Sequence, residues 1–207
     1  METSMKQGYI SADSHVVEPA DLWLTRMDKR FRDRAPRVES DAKADYYVIE
    51  GLPPMPHSGM EGAMMEEKIA KGKIEKLMGR RHSQTRPGAW EPQARLADQK
   101  LDNIRAEIVY PGIFGLQFSL APDSEYQWAC IRVYNDWLSE LCATAPDHFL
   151  GAGLIPISGP VENAIAEAQR VARLPGMRSL MLPQAVPQRP YWSPEYEPLW
   201  TALEELG

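Results

Sequence analysis

Asp13 and His15 are the first residues in the chain whose types and spacing suggest chemistry. They lie in the stretch YISADSHVVEP at residues 9–19. A carboxylate and a neutral imidazole together form part of a site for a divalent cation. Gly8 and Pro19 bound the stretch, which reads as one short strand running into a loop. Residues two apart on a strand share a face at a spacing of about 6.5 Å, so the two side chains project side by side at the strand's C-terminal end. A three-residue D-x-H match is weak by itself. A turn capped by Asp13 or Ser14, with His15 an ordinary polar residue, fits it at least as well.

Other reactive side chains have looser claims. Glu18 follows three residues after His15. It could orient a metal ligand, pair with an arginine at the mouth of a site, or cap a helix beginning at Pro19. Tyr110, which ends an apolar run, is a candidate substrate contact, as are Arg86 and Arg95; a structural role fits each of the three as well. His57 and His82 have no second ligand at a useful spacing and read as surface residues. Cys130 and Cys142 fall on one expected helix, about 18 Å apart, too far to bridge, and read as buried packing.

The elements that must position these residues alternate. A short helix follows Pro19 towards Phe31, and residues 36–51 read as a β-hairpin. Residues 52–88 are irregular, with four prolines and five methionines. A short amphipathic helix over 61–78 is expected there, in an insertion suited to a lid or a subunit interface. Beyond Trp90 the pattern becomes regular. Helices are expected over 92–103, over 124–143 with Ser124 as cap, from Pro160, and from near Pro198 to the end. Strands are expected over 106–110, 151–155 and 178–182. Four strand–helix units with nearly continuous apolar strands imply a parallel sheet with helices on its faces. An open flavodoxin-like sheet and a (β/α) barrel both fit that pattern. No glycine-rich phosphate loop or G-x-S-x-G elbow follows any of the strands, which removes the usual nucleotide and serine-hydrolase readings.

Composition sets the outer bounds. The chain has 207 residues, 43% hydrophobic and 25% charged, ordinary for a globular fold but short for an eight-unit barrel of about 250. A net charge of −6, without blocks of like charge, argues against nucleic acid or an anionic membrane as partner. No apolar run is long enough to span a membrane, and charges interrupt any signal-peptide core, so a cytoplasmic location is expected. A small-molecule substrate is the natural partner, with a homo-oligomer as a further expectation.

The stretch YISADSHVVEPADLW at residues 9–23 resembles the opening of the amidohydrolase-related family, the decarboxylase-like branch of the amidohydrolase superfamily. WEPQARLAD at 90–98 and EIVYP at 107–111 are similar to the same family's second unit. The resemblance implies the N-terminal half of a metal-dependent (β/α)8 TIM barrel: one incomplete domain over residues 1–207, with a hairpin and lid-like insertion at about 36–88. It implies one divalent ion, usually zinc, with Asp13 and His15 matching the family's first-strand ligands. The other ligands and the catalytic residues are expected beyond residue 207. The implied activity is that of a carboxy-lyase on a small carboxylated metabolite. Hydrolysis of an amide, lactone or related bond is the alternative, and a non-catalytic fragment is the third reading.

Overall fold

The computed structural model describes residues 8–57, 81–183 and 189–207. In chain order its elements are strand β1 (Tyr9–His15), helix α1 (Leu22–Arg26), strands β2 (Arg37–Ser40), β3 (Asp45–Val48) and β4 (Met55–Pro56), and helix α2 (Pro92–Leu101). Strand β5 (Ile104–Tyr110), helices α3 (Ile113–Gln117) and α4 (Ser124–Ala143), strand β6 (Phe149–Leu154), helix α5 (Val161–Val171), strand β7 (Met177–Met181) and helix α6 (Glu197–Leu206) follow.

β1, β5, β6 and β7 form one sheet in that order, every neighbouring pair parallel. Strands laid down in sequence order are the winding of a barrel. A doubly wound sheet would reverse its order part-way, so the open-sheet alternative is excluded. β2, β3 and β4 make a separate antiparallel sheet. Its first two strands are the expected hairpin, and the two-residue β4 is an addition that the sequence did not signal. The helix expected over 61–78 lies outside the described residues.

Helix boundaries follow their caps. Glu91 accepts from the amides of Gln93 and Ala94 at 3.1 and 2.6 Å and starts α2 at Pro92, whose missing N–H costs nothing at the first position. Asp123, not Ser124, caps α4, taking the amides of Glu125 and Tyr126. α1 stops at Arg26, short of Phe31, and the Asp21 side chain makes no capping bond to hold its start.

Ile131, Tyr134, Leu138, Leu141 and Cys142 of α4 are buried with Val109, Phe149, Leu154 and Met177 in the main core. Gly151 and Gly153 leave room beside β6 for side chains of β7 and α5. A Cβ on the first would lie 2.6 Å from Met177 Sδ, and on the second 2.5 Å from Val171 Cγ1. Asn135 ties the two layers together: its amide donates to Leu154 O and accepts from Leu154 N, both at 2.9 Å, and also donates to the fully buried Glu167 at 2.8 Å. Cys130 and Cys142 are free and buried on α4, as their spacing required.

The histidines of the insertion are not on the surface. His57 and His82 are 2% and 9% exposed. Tyr47 stacks on His57 at 5.3 Å and meets Phe114 edge-on at 4.7 Å, and Trp90 stacks on His82 at 6.0 Å. Phe114 in turn packs on Trp23, whose indole N–H donates to Cys130 O at 3.0 Å. An imidazole is a flat ring that packs as an aromatic, and here two of them help fasten the small sheet to the main core. Burial holds the His57 imidazole down to about 4, with the neighbouring His82 adding to the shift.

Candidate metal half-site

β1 is not a regular strand. It pairs with β5 at Ser11↔Glu107 and next at Ser14↔Val109, so β1 advances three residues while β5 advances two. The extra residue is a bulge centred on Ala12 and Asp13. Its effect shows in Ser11 and Ser14, whose hydroxyls meet at 2.7 Å although residues three apart on a regular strand face opposite ways. Bulges of this kind re-aim side chains, and this one lies immediately before the strand end where a (β/α) fold keeps its chemistry.

Beyond the bulge, His15 Nε2 lies 3.1 Å from Asp13 Oδ1, with both side chains open to solvent. The other ring nitrogen, Nδ1, is 2.7 Å from the Pro111 carbonyl oxygen. A carbonyl can only accept, so Nδ1 carries a proton and Nε2 is the ring nitrogen left to meet a metal. A metal-ligating histidine commonly anchors its other nitrogen in this way. Two ligands 3.1 Å apart, each about 2.0–2.2 Å from a common ion, would subtend roughly 95° at it. The donor pair fits a divalent cation. Among the described residues no third His, Cys, Asp or Glu joins it.

Three elements fix this corner. The Val16 amide donates to Tyr110 O at 3.1 Å, continuing the pairing with β5 past the strand end. Glu18, 1% exposed, accepts from the Gly115 amide at 3.2 Å, so it caps α3 across the β5 loop rather than a helix at Pro19. Gly112 leaves the room for this, since a Cβ there would fall 2.4 Å from both Glu18 Oε2 and Val16 O. Glu18 thereby braces the turn whose Pro111 carbonyl holds His15. Its own carbonyl accepts from His82 Nε2 at 3.0 Å.

Tyr110 stands beside the site, its ring centroid 5.9 Å from that of His15. Arg86 pairs with Asp98 at 2.5 Å. Arg95 is not available to a substrate. It is 7% exposed, and its five N–H donors are taken by Glu107, Gly88 O and His15 O. One signal in the sequence pointed to this arrangement: Glu107 interrupts an otherwise apolar strand run, and a buried charge demands partners. Arg95 and Gln99, four apart on α2, supply them.

The model of the amidohydrolase family matches residues 13–207. This chain belongs to the amidohydrolase family. The amidohydrolase assignment extends to the fold of solved structures. An amidohydrolase from Mycobacterium avium subsp. paratuberculosis is 23% identical, with a TM-score of 0.72 over 98% of this chain and 57% of that one. A 2,6-dihydroxybenzoate decarboxylase from Rhizobium is 20% identical, with a TM-score of 0.55 over 97% of this chain and 47% of that one. A dihydroxybenzoic acid decarboxylase from a Polaromonas species, solved with manganese and the inhibitor 2-nitroresorcinol, is 17% identical, with a TM-score of 0.54 over 97% of this chain and 47% of that one. At these identities the likeness shows the fold alone: an α/β half-barrel of four parallel strand–helix units. The chain spans about half the length of the solved structures it matches. It matches none of the curated proteins by sequence. No helix among the described residues is long and apolar enough to cross a membrane.

Proposed function

We propose that Asp13 and His15 are the first-strand donors of a divalent-metal site in a carboxy-lyase that acts on a small carboxylated metabolite. The observation that carries this reading is the convergence of His15 Nε2 and Asp13 Oδ1 at 3.1 Å, with Nδ1 committed to Pro111 O. A bound divalent ion would supply Lewis acidity, drawing a substrate oxygen or carboxylate into place and holding negative charge as it develops. The chain's own residues do the rest. Asp13 contributes a negative charge, Pro111 anchors the imidazole through Nδ1, and Glu18 steadies the Pro111 turn. Tyr110, beside His15, is placed to line the substrate's approach.

Decarboxylation is preferred to hydrolysis because decarboxylases recur among the matched structures, two of them holding manganese. The ion in this chain is zinc or manganese, since an imidazole and a carboxylate suit both. The hydrolytic alternative draws on the solved amidohydrolase with a TM-score of 0.72. Two buried, unbridged thiols support a cytoplasmic setting.

The test is metal analysis of the full-length protein and of its Asp13→Ala/His15→Ala variant, followed by a substrate panel. Stoichiometric metal in the wild type and its loss in the variant are expected, with carbon dioxide released from a hydroxylated aromatic acid. Metal retained by the double variant would sink the site assignment. Turnover of amides or lactones without carbon dioxide release would favour the hydrolase.

A further inference from the structure

We propose that Arg95 is a positioning residue for this half-site: locked on Glu107, it fixes the backbone carbonyl of His15 and so the direction in which Nε2 points. The inference rests on the reading of Asp13 and His15 as metal donors. Nε and Nη2 of Arg95 reach the two oxygens of Glu107 at 2.5 and 3.1 Å, the two-pronged geometry available only to a guanidinium. Nη1 and Nη2 both donate to His15 O at 3.2 Å, and Nη1 also donates to Gly88 O at 3.1 Å. Gln99 Nε2 adds a further donor to Glu107 Oε1 at 2.9 Å.

The need for such a clamp follows from β1 itself. The strand is bulged at Ala12 and Asp13, so its last residues leave the regular register with β5 and need contacts beyond that ladder to fix their direction. The ring of His15 is held by Pro111 O and its carbonyl by Arg95, which leaves the side chain little freedom to swing. A lysine could pair with Glu107 but, with one compact ammonium, could not reach both carboxylate oxygens, Gly88 O and His15 O together.

The experiment compares Arg95→Lys and Glu107→Gln with wild type in the full-length protein, by Mn2+ titration and by 15N spectra of the His15 ring in the metal-free state. Glu107→Gln keeps an acceptor for Arg95 and serves if the lysine variant does not fold. Expected for each folded variant are a loss of about tenfold or more in Mn2+ affinity, the range seen when a ligand's outer partner is removed, and a shifted or broadened His15 Nδ1–H signal as its bond to Pro111 O loosens. A merely structural arginine would lower the melting temperature and leave both readouts at wild type, and that result overturns the proposal. Asp13→Ala/His15→Ala runs alongside. If it keeps Mn2+, the metal reading fails and this inference with it. If it loses Mn2+ while both variants bind normally, only the positioning role fails.

Discussion

His15 Nδ1 donates to the carbonyl oxygen of Pro111 across 2.7 Å, joining the ends of two adjacent parallel strands through one side chain. The bond leaves Nε2 as the ring nitrogen that faces Asp13 Oδ1, 3.1 Å away. If that pair is a metal-binding corner, the Asp13 charge matters and its packing does not, because its side chain is 81% exposed. Asp13→Asn, with the same shape and no charge, is expected to lower Mn2+ affinity at least about tenfold with the melting temperature unchanged within a degree or so. Isothermal titration and a thermal melt read the two effects separately.

Gly112 tests how tightly the β5 turn is built. Its φ of −76° suits any residue, so conformational freedom is not why a glycine is found there. The reason is space: a Cβ would fall 2.4 Å from Val16 O, a backbone atom held by its own strand end. Gly112→Ala is expected to destabilise the chain by about 1–3 kcal/mol, as overpacking typically does. Urea unfolding measures this. A neutral result would mean that the Val16–Glu18 loop can move away, which would weaken the case that it braces His15.

The strand–helix alternation was legible because buried parallel strands and capped helices leave strong periodic signals, and strands 106–110, 151–155 and 178–182 fell within two residues of β5, β6 and β7. The geometry of the half-site was legible only in part. Side-by-side projection of Asp13 and His15 was argued from an unbroken two-residue repeat, yet the strand is bulged between Ser11 and Ser14. Nothing in YISADSH announces a bulge, because the extra residue is specified by pairing with β5, a long-range contact. His57 and His82 were misread for a related reason. Their burial depends on a small sheet folding over Trp23 and Phe114, and a single polar ring carries no periodicity to reveal that. The Arg95–Glu107 pair was within reach, since a glutamate inside an apolar strand required a partner.

Asn135 is the clearest point where one side chain holds two layers. It satisfies both the N–H and the C=O of Leu154 and also bonds Glu167, which is fully buried. Asn135→Leu conserves volume and leaves these buried groups without that partner. An unsatisfied buried group costs about 1–3 kcal/mol, so a loss of at least about 2 kcal/mol is expected in urea unfolding. A loss below about 0.5 kcal/mol, the size of an ordinary surface change, would show that water replaces the amide at Leu154 and that Arg170, which also donates to Glu167, suffices there.

His57 gives the fold a pH dependence distinct from that of its carboxylates. Burial first, and the adjacent His82 second, lower its pKa from 6.5 to about 4, and among the described residues Nδ1 has no hydrogen-bond partner. The unfolded chain therefore binds the proton more readily than the folded one between these two values. Stability is fully present above about pH 6.5, falls as pH drops towards 4, and levels off below it. A shift of that size corresponds to roughly 3 kcal/mol at about 1.4 kcal/mol per unit. Asp45 behaves differently. Burial raises its pKa, but hydrogen bonds from Arg81, Ser40 and the His82 amide outweigh that and hold it below the usual carboxylate value. Its contribution is present above about pH 3.8 and is lost only in stronger acid. Unfolding free energies measured in urea from pH 7.5 to 4 are therefore expected to slope downward in the wild type. In His57→Gln, which keeps a polar group facing Thr85 without a titrating ring, the slope should largely disappear. An unchanged slope in that variant would place the proton uptake on another group.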